Sequence, residues 1–204
     1  MKKLLLTIIL LTAVCAPRMA SQFRWGPTVG INYTTLKFSQ ELFNVNSHLG
    51  GQAGVQCEMM FPGIGFGIDF GAMYQSRGAT LDLGSKEIWH SDGYGRERFT
   101  GHFLTIPIDL RFKWTRMNGL EDYIAPYVYG GPVFGFQLAH TSLKAFEHKT
   151  IDLGIQAGFG VQIFKRWQVQ AAYVWGMSDN VRARKLVDFN GSYNYWTVGV
   201  TRYF

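Results

Sequence analysis

The chain has 204 residues, 47% of them hydrophobic and 16% aromatic, with a formal net charge of +6; one domain accommodates that length. Mean hydropathy is -0.02, and no uncharged run reaches the ~20 residues that a membrane helix needs, which excludes a helical membrane protein. The charge is mildly basic and no Lys/Arg run is interleaved with aromatics, so no nucleic-acid partner is expected.

Lys2 and Lys3 precede an apolar run from Leu4 to Val14, the pattern of a secretory signal peptide. Residues 1–20 are the expected leader, cut after Ala20, and residues 21–204 the mature domain; Arg18 before the cut leaves a neighbouring site open. Cys15 offers acylation as an alternative, against which Val14 is bulkier than lipoprotein processing normally tolerates. Once the leader is gone Cys57 is the single cysteine, so no internal disulfide is expected despite the oxidising destination.

From Phe23 onward the chain alternates with period two. FRWGPTVGINYTTL places Phe23, Trp25, Val29, Ile31 and Tyr33 on one face and Arg24, Thr28 and Asn32 on the other, a strand longer than the usual globular one. HLGGQAGVQCEMMF sets Leu49, Val55, Cys57 and Met59 against His48, Gln52, Gln56 and Glu58, and IGFGIDFGAMYQSR sets Phe66, Ile68, Phe70 and Tyr74 against Asp69, Gln75 and Arg77. Only Pro62 and Gly63 separate these two runs, which predicts a tight hairpin. FLTIPIDLRFKW alternates Leu104, Ile106, Ile108 and Leu110 with Thr105, Asp109, Arg111 and Lys113.

YIAPYVYGGPVFGFQL is apolar on both faces, and its Gly-Gly-Pro predicts a bulge that changes the alternation. IDLGIQAGFGVQIF, WQVQAAYVWGM and the terminal YNYWTVGVTRYF complete eight strands. Connections two, four and six are short, whereas residues 37–47, 78–101, 139–149 and 178–192 form longer ones.

An even number of long antiparallel strands, with short turns at one end and long loops at the other, predicts an all-β, eight-stranded, up-and-down transmembrane β-barrel. Without water to pair free backbone groups, such a sheet must close on itself, so the last strand is expected to pair with the first. A soluble barrel built around a ligand is the alternative. Against it stand the outward aromatic set Trp25, Tyr74, Trp114, Trp167, Trp175 and Trp196, which suits interfacial girdles, and a charged face of both signs.

That charged face supplies the candidate lumenal network: Arg24, Glu58, Asp69, Arg77, Asp109, Arg111, Lys113 and Asp152. Eight strands leave an interior just filled by side chains, so Asp69, Asp109 and Asp152 are expected to pair with Arg24, Arg111 or Lys113 as a structural plug, with a narrow ion path as the alternative. His48, His102, His140 and His148 fall near the long-loop rim and form a candidate ligand site; no metal or other cofactor is assigned to it. The loop residues His90, Ser91 and Asp92 are too close in sequence for a relay, so no catalytic residue is assigned. Trp89, Tyr94 and Phe99 are a candidate contact patch or a loop core.

LTIPIDLRF, APYVYGGPVFG and DLGIQAGFGVQI, with GINYTTL near the start and GVTRYF at the end, resemble the PorT-type outer-membrane β-barrel proteins of Bacteroidetes-type cell envelopes. The resemblance implies an integral barrel in outer-membrane lipid, inserted by the outer-membrane assembly machinery, which reads a C-terminal aromatic such as Phe204. It also implies, weakly, contact with secretion-complex proteins. The functional expectation is a non-enzymatic outer-membrane barrel that contacts envelope components; a small channel or ligand-binding barrel is the alternative.

Overall fold

The structure, a computed structural model, describes residues 23–38, 45–61, 63, 65–82, 96–115, 117–140, 146–148, 151–178, 181–183 and 190–204. The expected leader with Cys15, and the loop residues Trp89 to Asp92 and Tyr94, lie outside these residues. No helix among the described residues is long and apolar enough to cross a membrane.

Ten strands are described: β1 (Phe23–Phe38), β2 (Val45–Met60), β3 (Phe66–Asp82), β4 (Arg96–Lys113), β5 (Ile124–His140), β6 (Phe146–His148), β7 (Ile151–Ile163), β8 (Trp167–Gly176), β9 (Val181–Ala183) and β10 (Asn190–Arg202). Each of β1, β2, β3, β4, β5, β7, β8 and β10 pairs with the next, and β10 returns to β1, giving a closed eight-stranded antiparallel barrel. The closing seam runs in register from Thr28↔Thr201 to Phe38↔Gly191. Below it Phe204 N donates to Trp25 O at 3.0 Å, so the terminal aromatic is tied to the first strand.

Closure removes the free edges that a sheet could not carry through hydrocarbon. Alternation then sends one row outward and the next inward. Val29, Ile31, Leu110 and Phe159 are 52–67% exposed on the outer face, an apolar belt far larger than a soluble monomer tolerates. Trp25, Tyr74, Trp114, Trp167, Trp175 and Trp196 all lie on that outer face.

Three expectations are corrected. The β2–β3 connection is not a two-residue turn: the strands end at Met60 and restart at Phe66. Gly63 and Gly65 take positive φ there, and Phe61 N closes the loop onto Phe66 O at 2.8 Å. Gly130-Gly131-Pro132 makes no bulge, because the β4–β5 pairing keeps one register from Phe103↔Gln137 to Lys113↔Tyr127; the shift falls at His102/Phe103 instead. Alternation therefore persists, with Ala125, Tyr127, Tyr129 and Val133 buried inside.

The third correction concerns length. β3 and β4 continue as a paired hairpin to Asp82↔Arg96 inside the segment read as loop. On the β4 side that segment is the charged run Arg96-Glu97-Arg98, which carries no apolar alternation to mark it as strand. Likewise β6 pairs with β9, and β9 with the start of β10, in a small extension at the long-loop end.

Candidate functional site

The inward row of β4, from Phe103 through Thr105, Pro107, Asp109 and Arg111 to Lys113, runs the length of the lumen. Around it the polar side chains sort into three layers.

The layer nearest the short turns is built on Glu58, which has no solvent exposure. Its Oε1 meets Arg24 Nη2 and Lys113 Nζ, each at 2.5 Å; its Oε2 meets Arg111 Nη1 at 2.6 Å and accepts Gln168 Nε2 at 2.7 Å. Arg111 also reaches Asp69 Oδ2 at 2.5 Å and lies over the Tyr127 ring at 4.0 Å. In a lumen without bulk water these charges are tolerable only because each is paired. Gly160 of β7 leaves room for Tyr127: a Cβ at Gly160 would stand 2.4 Å from Tyr127 Cζ, and one at Gly158 would stand 2.7 Å from Tyr129 Cζ.

The middle layer is amide-rich and holds one carboxylate, Asp109. Gln170 Nε2 donates to Gln56 Oε1 at 3.1 Å, Tyr127 Oη donates to Gln170 Oε1 at 3.2 Å, and Thr201 Oγ1 donates to Thr28 Oγ1 at 2.8 Å across the closing seam. Asp109 accepts Gln156 Nε2 at 2.7 Å on Oδ2. Gln56, Gln170, Asp109 and Gln156 are among the side chains lining a cavity of ≈ 20 Å³, room for about one water.

The layer toward the long loops holds one described cation. Arg77, fully buried, pairs with Asp152 and donates to Gln75 Oε1 at 2.7 and 3.0 Å and to Thr105 Oγ1 at 3.0 Å. Its guanidinium sits 4.2 Å from the Tyr195 ring centroid and 4.8 Å from that of Phe103. Ser178 Oγ donates to Asp152 Oδ1 at 3.1 Å.

The pairing thus differs from expectation at two of three aspartates. Asp69 meets Arg111 as expected, but Asp152 takes Arg77, and Asp109 takes an amide and no described cation. Glu58, not an aspartate, gathers Arg24, Arg111 and Lys113.

The rim histidines do not converge where they are described. His48 is the register partner of Thr34, which is buried on the lumenal face. His102 faces outward: its Nδ1 is 2.7 Å from Tyr74 Oη, and the two rings stack at 5.7 Å. The side chains of His140, His148 and Phe99 lie outside the described residues. No group of three or more His, Cys, Asp or Glu suited to a metal occurs among the described residues.

Sequence reasoning overlooked the inward tyrosines Tyr127, Tyr129, Tyr193, Tyr195 and Tyr203, all at most 7% exposed. Their signal was present in β10, where Tyr193 and Tyr195 alternate with the outward Trp196 and Val198. Phe204 sits on the outer face against Trp25, ring centroids 5.7 Å apart.

A family model described as outer membrane protein beta-barrel domain matches residues 16–182, ending within β9 and short of β10. No curated protein matches the chain. Among solved structures, the outer membrane protein OprG from Pseudomonas aeruginosa is similar at a TM-score of 0.52 and 13% identity, covering 89% of this chain and 95% of that one. Neisserial surface protein A is similar at a TM-score of 0.50 and 11% identity, covering 88% of this chain and 97% of its own. At such identity the likeness is one of fold.

Proposed function

We propose a function for this chain on one premise: it belongs to the outer membrane protein β-barrel domain family. It is an integral outer-membrane β-barrel, and its role is non-enzymatic contact with other envelope components, in support of protein secretion as in the PorT-type proteins it resembles. The filled lumen carries this reading. Among the described residues the three side-chain layers enclose a cavity of ≈ 20 Å³, too small for a solute, so the work passes to the long loops and the short turns. The secretion element rests on the motifs of β4, β5 and β7.

Deleting the gene and comparing exported with periplasmic proteins tests the role. Cargo trapped in the periplasm, and released again by the intact gene, supports it; unchanged export removes secretion. The channel reading is tested separately. In a planar bilayer the purified barrel should give no steady unitary current, because conduction requires a continuous polar path; a steady current would replace the contact role with an ion path. Phe204 acts in this scheme as the assembly signal. Phe204→Ala should lower the amount reaching the outer membrane while leaving the refolded protein's stability within ~1 kcal/mol, since a half-exposed ring contributes little.

A further inference from the structure

Among the outward side chains described in the eight barrel strands, Arg202 is the one Lys, Arg, Asp or Glu. It ends the outer row Trp196, Val198 and Val200 of β10, beside the short turns. Its neighbours Thr201 and Tyr203 are buried in the lumen, so alternation fixes Arg202 on the lipid side, where it is exposed.

Aromatic rings surround it. The guanidinium is 5.6 Å from the ring centroid of Trp167, its register partner on β8, and 5.3 Å from that of Phe204, which packs in turn on Trp25. No described carboxylate pairs with it. Glu58, Asp69, Asp109 and Asp152 are buried inside, Asp122 holds Lys165 at 2.7 Å, and Glu121 accepts the backbone N–H groups of Met117 and Gly119. Ring faces attract the charge but accept none of the five N–H donors in its plane.

Depth decides what meets those donors. Trp25 and Trp167 mark the girdle where hydrocarbon gives way to headgroups, and an arginine on the lipid face is tolerated near that boundary. The anionic acceptor found there is phospholipid phosphate, which a guanidinium matches with two parallel N–H···O bonds. The short turns of an outer-membrane barrel face the periplasm, which selects the periplasmic leaflet. Arg166 supplies a second cation: it is exposed, has no described acid, and its carbonyl accepts Tyr203 N at 2.7 Å, so it lies across from the end of β10.

We propose that Arg202, held between Trp167 and Phe204, binds the phosphate of a phospholipid in the periplasmic leaflet, with Arg166 as the second cation. The lipid thereby sits on the closing seam, one residue past the Thr28↔Thr201 pair. The site is independent of which partner the loops contact.

Native mass spectrometry of the purified, folded, delipidated barrel tests it. One phosphatidylglycerol should stay bound, whereas a galactosyl diacylglycerol with the same acyl chains and no phosphate should be lost. Arg202→Gln should weaken retention about tenfold, the factor supplied by one charge-assisted hydrogen bond. Arg202→Lys, which keeps the charge without the fork, should fall between. Equal retention of the two lipids, or unchanged retention in Arg202→Gln, would overturn the proposal. Thermal midpoints in a sugar detergent separate lipid from free anion. Phosphatidylglycerol should raise the midpoint and inorganic phosphate should not; an equal rise with inorganic phosphate would overturn the lipid as ligand. If Arg202→Gln does not fold, the two-lipid comparison on the unaltered chain still decides.

Discussion

The two charged ends of the lumen bury arginine in different ways. Near the short turns, Arg111 shares Glu58 with Arg24 and Lys113, and Asp69 adds a second carboxylate. Near the long loops, Arg77 has a single carboxylate, and neutral Gln75 and Thr105 and the faces of Tyr195 and Phe103 supply the rest of its shell. The first arrangement depends on one acid that three cations share. The second spreads a smaller stake over many weak partners. Loss of one group should therefore be severe in the first and partial in the second.

The sharpest way to break that contrast is Glu58→Gln. It leaves Arg24 and Lys113 without a described carboxylate and Arg111 with Asp69 alone, so a loss of about 3–5 kcal/mol is expected, read from urea unfolding of the barrel in micelles. A smaller loss than for any Arg77 variant would reverse the ranking of the two ends. Next comes Arg77→Lys, which keeps the charge but loses the planar fork on Gln75 and Thr105 and the ring contacts. About 1–2 kcal/mol should go, on the scale of desolvated cation–π and charged hydrogen bonds. The smallest effect belongs to Tyr195→Leu, about 1 kcal/mol, because Phe103 and the Gln75 and Thr105 contacts remain. A double-mutant cycle of Arg77→Lys with Tyr195→Leu should show coupling, whereas Glu58→Gln with Tyr195→Leu should be additive.

The wall of this barrel was largely legible in the sequence because hydrocarbon imposes a single rule on every strand. Residues such as Ile31, Leu110 and Phe159 announce the outer face, and Thr28, Gln56 and Asp109 announce the inner one. Legibility ended where that rule ended. The β4 arm of the Asp82↔Arg96 hairpin opens on the charged run Arg96-Glu97-Arg98, and β6 and β9, of 3 residues each, are too short to show a period. Partner choice inside the lumen was hidden for another reason: Arg77 meets Asp152 from 75 positions away, and which rows face each other across a barrel depends on strand stagger, which alternation leaves free. The Gly-Gly-Pro of β5 misled because those glycines serve close approach in the wall and not a bulge: a Cβ on Gly131 would strike the Ile108 carbonyl.

Tyr127 and Gly160 bear on how this lumen can diverge over evolutionary time. Their positions are 33 apart in the chain, yet the ring of one occupies the place where a methyl group of the other would be. Gly160→Ala meets two obstacles, Tyr127 Cζ at 2.4 Å and the Val169 carbonyl at 2.7 Å; trading Tyr127 for a smaller residue removes only the first, and it strips Arg111 of the ring it lies over. In related chains Gly160 should therefore stay glycine even where Tyr127 changes, and Gly158, whose Cβ would stand 2.5 Å from the Ala171 carbonyl, should do the same.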